Sequence, residues 1–175
     1  MTMRPLYRTS LAALVTAMAT GCADDRPRAL PAEPTEIEAT ALSAYMAVSD
    51  ATPPPGTSFT VAVRTKRGVA VGPVGSFTLR LFFDSTKMRF VEHARSDLGM
   101  VMANGATPGV LTAAGASSNG FTNDELLFAT FTALGPDPVS TLTFAVTELN
   151  SVSFENQRNR LIVSPAVVRD NRLRK

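Results

Sequence analysis

The chain of 175 residues contains one cysteine, one histidine and no tryptophan, and each shortage excludes a class of site. A single cysteine, Cys22, rules out an internal disulfide framework and any metal site built on cysteine ligands. A single histidine, His93, cannot supply a zinc site with several histidine ligands. The sequence also lacks a phosphate loop, a Gly-rich dinucleotide motif and a serine elbow. We therefore predict a protein without metal, cofactor or enzymatic activity.

The charge balance argues against a nucleic-acid-binding protein. The formal net charge is +2 and the sequence pI is near 9.0. Arg4 and Arg8 lie in a segment that we expect to be removed, and without them the 17 basic residues fall level with the 15 acidic ones. A chain of zero net charge has no global attraction for phosphate. The one basic cluster left, residues 169–175, is predicted to be a solvated tail.

The N-terminus has the pattern of a secretory signal. Two arginines precede an uncharged run, TSLAALVTAMAT, which is too short to cross a bilayer as a stable helix. Small residues then lead to Cys22, and this order resembles the lipobox of bacterial lipoproteins, in which the cysteine thiol and the new N-terminus are acylated. Several acyl chains make a durable anchor. We predict a signal peptide over 1–21 and lipidation of Cys22; the alternative is an ordinary signal peptide that leaves a spare cysteine.

A charged, proline-containing segment over 22–35 follows the cysteine. Pro27, Pro31 and Pro34 favour extended backbone, and no apolar periodicity is present, so we predict a tether. No aspartate stands immediately after Cys22, which in the lipoprotein sorting pattern favours the outer membrane. The expected location is therefore the bacterial cell envelope, through a lipid anchor.

The body of the chain, residues 36–168, alternates apolar and polar residues with a period of two. Such alternation is typical of an antiparallel sheet with one buried face. Turn residues separate the runs at 53–56, 68–75, 104–105, 119–120 and 135–136. Short strands with turns between them predict an all-β sandwich or barrel. The residues expected inside are Phe59, Val61, Val63, Phe77, Leu79, Leu81, Phe83, Met88, Phe90, Leu142, Phe144 and Val146.

The segment ELLFATFTA over 125–133 is ambiguous. Leu126 and Phe128 point to one side of an extended chain, while Leu127 and Phe131 point to the other. It is either a strand covered on both faces or a short helix, and its threonines and its length favour the strand.

The domain resembles a cohesin-type module, of the superfamily that also holds carbohydrate-binding jelly rolls. Where the family has an aromatic-Asp-Pro turn, this chain has Phe83-Asp84-Ser85. The resemblance implies a jelly-roll sandwich of about nine strands that binds another protein domain, since characterised cohesins bind dockerins, which are small calcium-loaded helical modules. It assigns no interface residues here. The segments that carry it are 55–64, 75–92, 109–118, 125–135 and 140–149.

The stretch over 79–93 contains several residues of the types found in catalytic and metal-binding sites. Asp84 and Glu92 are carboxylates of the type that hydrolases pair, and Asp124-Glu125 is a second acidic pair. We predict that Asp84 caps its turn through backbone N–H groups and that Asp124-Glu125 is a solvated turn. His93 is predicted to be structural or exposed.

Two other functions remain open from the sequence. A carbohydrate-binding module linked to polysaccharide breakdown would use flat aromatic rings, yet the domain has no tryptophan and only Tyr45. Its site would then be in loops that carry Asn104, Asn119 or Asn123. A structural envelope protein that joins an assembly by pairing its sheet edges is the third possibility.

Overall fold

The computed structural model describes residues 37–94, 99–121 and 125–173. The predicted signal peptide, the tether, Cys22, Asn123 and Asp124 lie outside the described residues. No helix in the described part of the chain is long and apolar enough to cross a membrane.

The described chain forms nine strands and three short 3-10 helices, which lie at Pro138–Thr141, Arg158–Arg160 and Asn171–Leu173. The strands are β1 (Leu42–Val48), β2 (Ser58–Arg67), β3 (Val74–Phe82), β4 (Met88–His93), β5 (Met100–Asn104), β6 (Val110–Ala116), β7 (Glu125–Ala133), β8 (Thr143–Ser151) and β9 (Leu161–Arg169).

The strands make two sheets that pack face to face as a sandwich. Sheet A has the order β4-β7-β2-β1-β9, and sheet B has the order β5-β6-β3-β8. All neighbours are antiparallel except β1 and β9. Successive strands reverse direction, so the first and the ninth run the same way and pair in parallel. The predicted all-β sandwich of about nine strands is confirmed.

The core lies between the sheets and is built from the alternating residues. Leu79 and Leu81 of β3 have no exposed surface, and Met88 at the start of β4 is equally buried. Phe131 is the centre of an aromatic cluster, with ring centroids 5.1 Å from Phe83, 5.7 Å from Phe90 and 6.1 Å from Phe59. Offset and edge-on aromatic pairs add to the free energy of burial. Of the residues predicted inside, this core contains Phe59, Val61, Val63, Phe77, Leu79, Leu81, Leu142, Phe144 and Val146.

The ambiguous segment is strand β7, covered on both faces. A bulge in β7 shifts its register against β2, because Val63 pairs with Leu127 and Arg64 with Glu125, which leaves Leu126 as the extra residue. Because of this extra residue, Leu126 and Leu127 are both buried even though they are adjacent in sequence. Phe128 lies on the outer face of sheet A, packed against a second, smaller apolar cluster.

That second cluster corrects the predicted solvated tail. Strand β9 runs to Arg169, and the chain then folds back over the outer face of sheet A. The Asp170 amide donates a hydrogen bond to the Val48 carbonyl at 2.9 Å, and Leu173 packs onto Ala47 and Ala62. Leu173 is only 6% exposed, so the basic tail belongs to the domain as far as this residue. The tail differs from the prediction because Leu173 is an apolar residue within a charged segment, and its side chain is buried against sheet A.

Candidate binding surface

Asp84 lies in the turn between β3 and β4, where its carboxylate is bound to its own backbone. Its Oδ1 accepts hydrogen bonds from the Thr86 amide at 2.8 Å and from the Thr86 hydroxyl at 2.6 Å. These bonds hold the pKa of Asp84 below its usual 3.8. Glu92 is exposed near the far end of β4, and the strand from Met88 to Glu92 spans about 13 Å at the usual rise per residue. That separation is too long for the paired carboxylates of a glycosidase.

His93 ends β4 and is half-buried rather than fully on the outer face. A bulge between Phe90 and Glu92 changes the alternation that the sequence predicts for this strand. The His93 Nε2 atom therefore lies 3.3 Å from the Val101 carbonyl oxygen on β5. This contact joins the edge of sheet A to the edge of sheet B. Among the described residues, no group of three or more His, Cys, Asp or Glu side chains could hold a metal ion.

A buried ion-pair cluster lies on the outer face of sheet A. Arg64 donates from Nη2 to Glu125 Oε1 at 2.7 Å and from Nη1 to Asp170 Oδ2. Burial acts to lower the pKa of Arg64, but the bond to Asp170 and the pairing with Glu125 outweigh it, so the pKa is raised. Burial likewise acts to raise the pKa of Asp170, but bonds from Arg172 and Arg64 lower it to about 2. The cluster fixes the C-terminal segment and is structural. Its burial could not be read from the sequence, in which Arg64 occupies a solvent-facing position of β2.

The outer face of sheet B contrasts with that of sheet A because no described segment covers it. We call this surface the open face. Met100 and Met102 of β5 are 69% and 68% exposed, and Phe82 at the end of β3 is 37% exposed. The residues of the open face are Thr78, Arg80, Phe82, Met100, Met102, Asn104, Thr112, Ala114, Thr143, Ala145 and Glu148.

Strand register sets the pattern of the open face. One row runs across the sheet from Met102 through Ala114 and Thr78 to Glu148. In this row the Thr78 hydroxyl donates to Glu148 Oε2 at 3.0 Å, which fixes the carboxylate on the surface. This row therefore carries small side chains on the two central strands, and Met102 stands at its edge on β5.

The next row combines charge with small residues. It runs from Asn104 through Thr112 and Arg80 to Ala145. Arg80 is exposed near the middle of the sheet. The open face therefore combines one exposed cation, Arg80, with exposed methionine and phenylalanine side chains, which is a composition enriched at the cores of protein interfaces.

The asparagines considered for a sugar site do not form one group in the described chain. Asn104 Oδ1 accepts a hydrogen bond from the Ala106 amide at 2.9 Å and so closes its own turn. Asn119 lies in the loop between β6 and β7, at the opposite end of the sandwich. Tyr45 is 3% exposed and offers no ring to a ligand.

Comparisons with known proteins support the fold. No protein-family model and no curated protein matches the chain. Among solved structures, the sixth cohesin of Acetivibrio cellulolyticus scaffoldin B, in complex with a Cel5 dockerin, is similar at 13% identity and a TM-score of 0.54, over 73% of this chain and 99% of that one. A non-cellulosomal cohesin of Archaeoglobus fulgidus has 15% identity and a TM-score of 0.54, over 74% and 93%.

A cohesin module from a Clostridium perfringens family 33 glycoside hydrolase is also similar, at 12% identity and a TM-score of 0.52, over 75% of this chain and 99% of that one. At such low identity the likeness is one of fold. The expected resemblance is confirmed at this level, and the chain has a cohesin-type fold.

Proposed function

We propose that this protein is a non-catalytic binding module that engages a protein partner through the open face of sheet B. One observation carries the proposal: a four-stranded surface displays Met100, Met102 and Phe82 to solvent, and no described segment covers it. Large apolar side chains exposed together on one sheet face, as Met100 and Met102 are on β5, are typical of an interaction site.

The chemistry of the open face suits a protein surface. Burying an exposed Met or Phe side chain contributes roughly 1.5–3 kcal/mol, so the three together can drive association. Methionine is unbranched and polarizable, which lets it adapt to the shape of a partner. Ala114 and Ala145 allow a partner backbone to approach the sheet closely. Arg80 can pair with an acidic group of the partner in a partly desolvated site.

The structural neighbours point to the kind of partner. The cohesin of Acetivibrio cellulolyticus scaffoldin B is in a complex with a dockerin. A dockerin-like domain, or another envelope protein with an apolar helical surface, is the partner that we propose for this chain. The fold also favours binding over catalysis, since the described carboxylates Asp84 and Glu92 are separated and Asp84 is committed to its turn.

We also propose that the mature chain is lipid-anchored at the cell envelope, in the outer membrane. The support comes from the sequence: an uncharged run after two arginines, a lone Cys22 behind small residues, and a tether over 22–35. A tether of this length would hold the binding domain clear of the bilayer and leave the open face accessible.

A capture experiment with a matched control tests the binding surface. The mature chain carrying Cys22→Ser is immobilised and exposed to envelope extract. The amount of protein that it captures is compared with the amounts captured by the same chain carrying Met102→Asp or Val91→Asp. Val91 is 49% exposed on β4 of sheet A, so it receives the same charge away from the open face. The proposal predicts that Met102→Asp loses at least 90% of the capture, roughly the loss of one buried Met plus a buried charge. Equal capture by both variants contradicts it.

The polysaccharide-binding alternative gives a different result in the same design. Among the described residues, the exposed aromatic rings are Phe82 on the open face and Phe154 in a loop, and they do not form one platform. Retention on insoluble polysaccharide without any captured protein would favour that alternative over the proposed one.

A further inference from the structure

Two of the most exposed apolar side chains lie in neighbouring loops at one end of the sandwich. Val69, between β2 and β3, is 97% exposed, and Phe154, between β8 and β9, is 89% exposed. The loops are tied together, because Gln157 Nε2 donates to the Gly72 carbonyl at 2.9 Å and the Val152 amide donates to the Pro73 carbonyl at 3.1 Å. The two loops that carry these apolar tips are therefore held together at one end of the sandwich.

Phe154 is held outward by its loop. Its φ of 64° is in the left-handed region, which is rare and costly for a bulky residue. The buried Ser151 hydroxyl accepts bonds from the Ser153 amide at 3.2 Å and from the Glu155 amide at 3.1 Å, and the Phe154 amide donates to the Ser151 carbonyl at 3.0 Å. This bonding keeps an exposed aromatic ring in an unfavourable backbone conformation, which is a mark of functional sites.

The same end is where the chain enters the domain. The Gly68 amide donates to the Ala41 carbonyl and the Ala70 amide to the Ala39 carbonyl, both at 2.9 Å. The start of the described chain, over residues 37–41, therefore lies beside the loop that carries Val69. The stretch back to Cys22 is long enough to reach roughly 45 Å if extended. We call this end of the sandwich the entry end.

Basic residues surround the apolar tips. Lys66 and Arg67 end β2, and Arg158 and Arg160 lie in the 3-10 helix that follows the Phe154 loop. Arg158 and Arg160 are both exposed. The described acidic residues at this end are Glu38, Glu125 and Glu155, and Glu125 is paired with Arg64, so four basic residues remain against two acidic ones.

We propose that the entry end docks onto an anionic lipid bilayer, with Val69 and Phe154 inserted among the headgroups and the exposed Arg158 and Arg160 against lipid phosphates. Apolar side chains beside lysine and arginine are the combination that binds membrane interfaces. The proposal rests on the proposed anchor at Cys22, which would supply a high effective concentration of lipid for a contact that is weak by itself. Docking would orient the open face of sheet B sideways, along the membrane.

Vesicle flotation tests this contact without the anchor. The mature chain with Cys22→Ser is mixed with phosphatidylglycerol–phosphatidylcholine vesicles or with phosphatidylcholine vesicles alone. We expect binding to the anionic vesicles that weakens with salt, and a partition coefficient at least tenfold lower for Phe154→Asn. Asparagine tolerates a positive φ, so this variant keeps the loop conformation. The matched control is Leu134→Asn, which changes a 47% exposed residue at the opposite end of the sandwich and should leave partition unchanged.

Three outcomes overturn the proposal. They are no flotation of the parent chain, equal flotation of the parent and Phe154→Asn, or a loss of protein capture in Phe154→Asn with vesicle binding intact, which would make the loop a protein contact. A failure of the membrane-docking proposal can be distinguished from a failure of the proposed binding function. Met102→Asp should lose the protein partner and keep its affinity for vesicles.

Discussion

Replacing Asp170 with asparagine should destabilise the domain, because it removes one of two carboxylates from a buried arginine. Arg64 has a side chain only 10% exposed, and it is held by Asp170 and Glu125. The substitution preserves the shape of the side chain and removes its charge. It also weakens the link that holds Leu173 on the outer face of sheet A.

The magnitude follows from the pKa of Asp170. Folding lowers this pKa from 3.8 to about 2. Each pKa unit corresponds to about 1.36 kcal/mol, so the ionised carboxylate stabilises the folded state by about 2 kcal/mol at neutral pH. Breaking a buried ion pair costs roughly 3–5 kcal/mol when no partner is left. Glu125 remains in this case, so we expect the free energy of unfolding to fall by about 2–3 kcal/mol.

Urea unfolding of the mature Cys22→Ser chain at pH 7 measures this change. Arg172→Ala is the control, because the Arg172 side chain is 75% exposed and its pair with Asp170 should contribute less than about 1 kcal/mol. In an Arg64→Met background, Asp170→Asn should have a much smaller effect, since the buried cation is gone. A loss below about 0.5 kcal/mol, or the same loss in both backgrounds, would refute the reasoning.

The other predictions concern the C-terminal segment, the packing around Gly68 and the lipidation of Cys22. Stability should fall as the pH drops from about 5 to 2, because the folded pKa of Asp170 lies below the unfolded one, and acid titration of Asp170→Asn should show a shallower fall. Leu173→Ala should lower the free energy of unfolding by about 2 kcal/mol in urea, the low end for a buried leucine. Gly68→Ala should lower the melting temperature, since its Cβ would clash with the Ala39 carbonyl oxygen; an unchanged melting temperature contradicts this packing. Cys22→Ser should remove the acyl mass from the mature protein in mass spectra, and a mass that differs only by the exchange of sulfur for oxygen would refute lipidation.

The sequence predicts the strands that have one buried and one solvated face. Strands β3 and β8 show this directly, since Phe77 and Leu79 alternate with Thr78 and Arg80 as expected. Strand β1 gives a weaker pattern because all seven residues are buried, which follows from the folded-back C-terminal segment and the core on its other side. When a residue is buried by a distant part of the chain, the sequence around it carries no pattern that predicts the burial.

The features missed by the sequence depend on bulges and on long-range contacts. One extra residue in β4 turns the His93 side chain toward β5. The alternation of apolar and polar residues does not predict this bulge. Arg64 looks solvent-facing in an alternating strand, yet Asp170, far along the chain, covers it. The open face is visible only after strand pairing places Met102 beside Ala114, since these residues come from separate runs.

The affinity of the purified partner for the Met102→Asp variant is the most direct test of the proposed function. Isothermal titration of the mature Cys22→Ser chain gives a dissociation constant, which is compared with those of Met102→Asp and Val91→Asp. Binding through the open face predicts a dissociation constant at least tenfold higher for Met102→Asp and unchanged for Val91→Asp. Equal dissociation constants for the parent chain and Met102→Asp would contradict the proposal that sheet B is the binding surface.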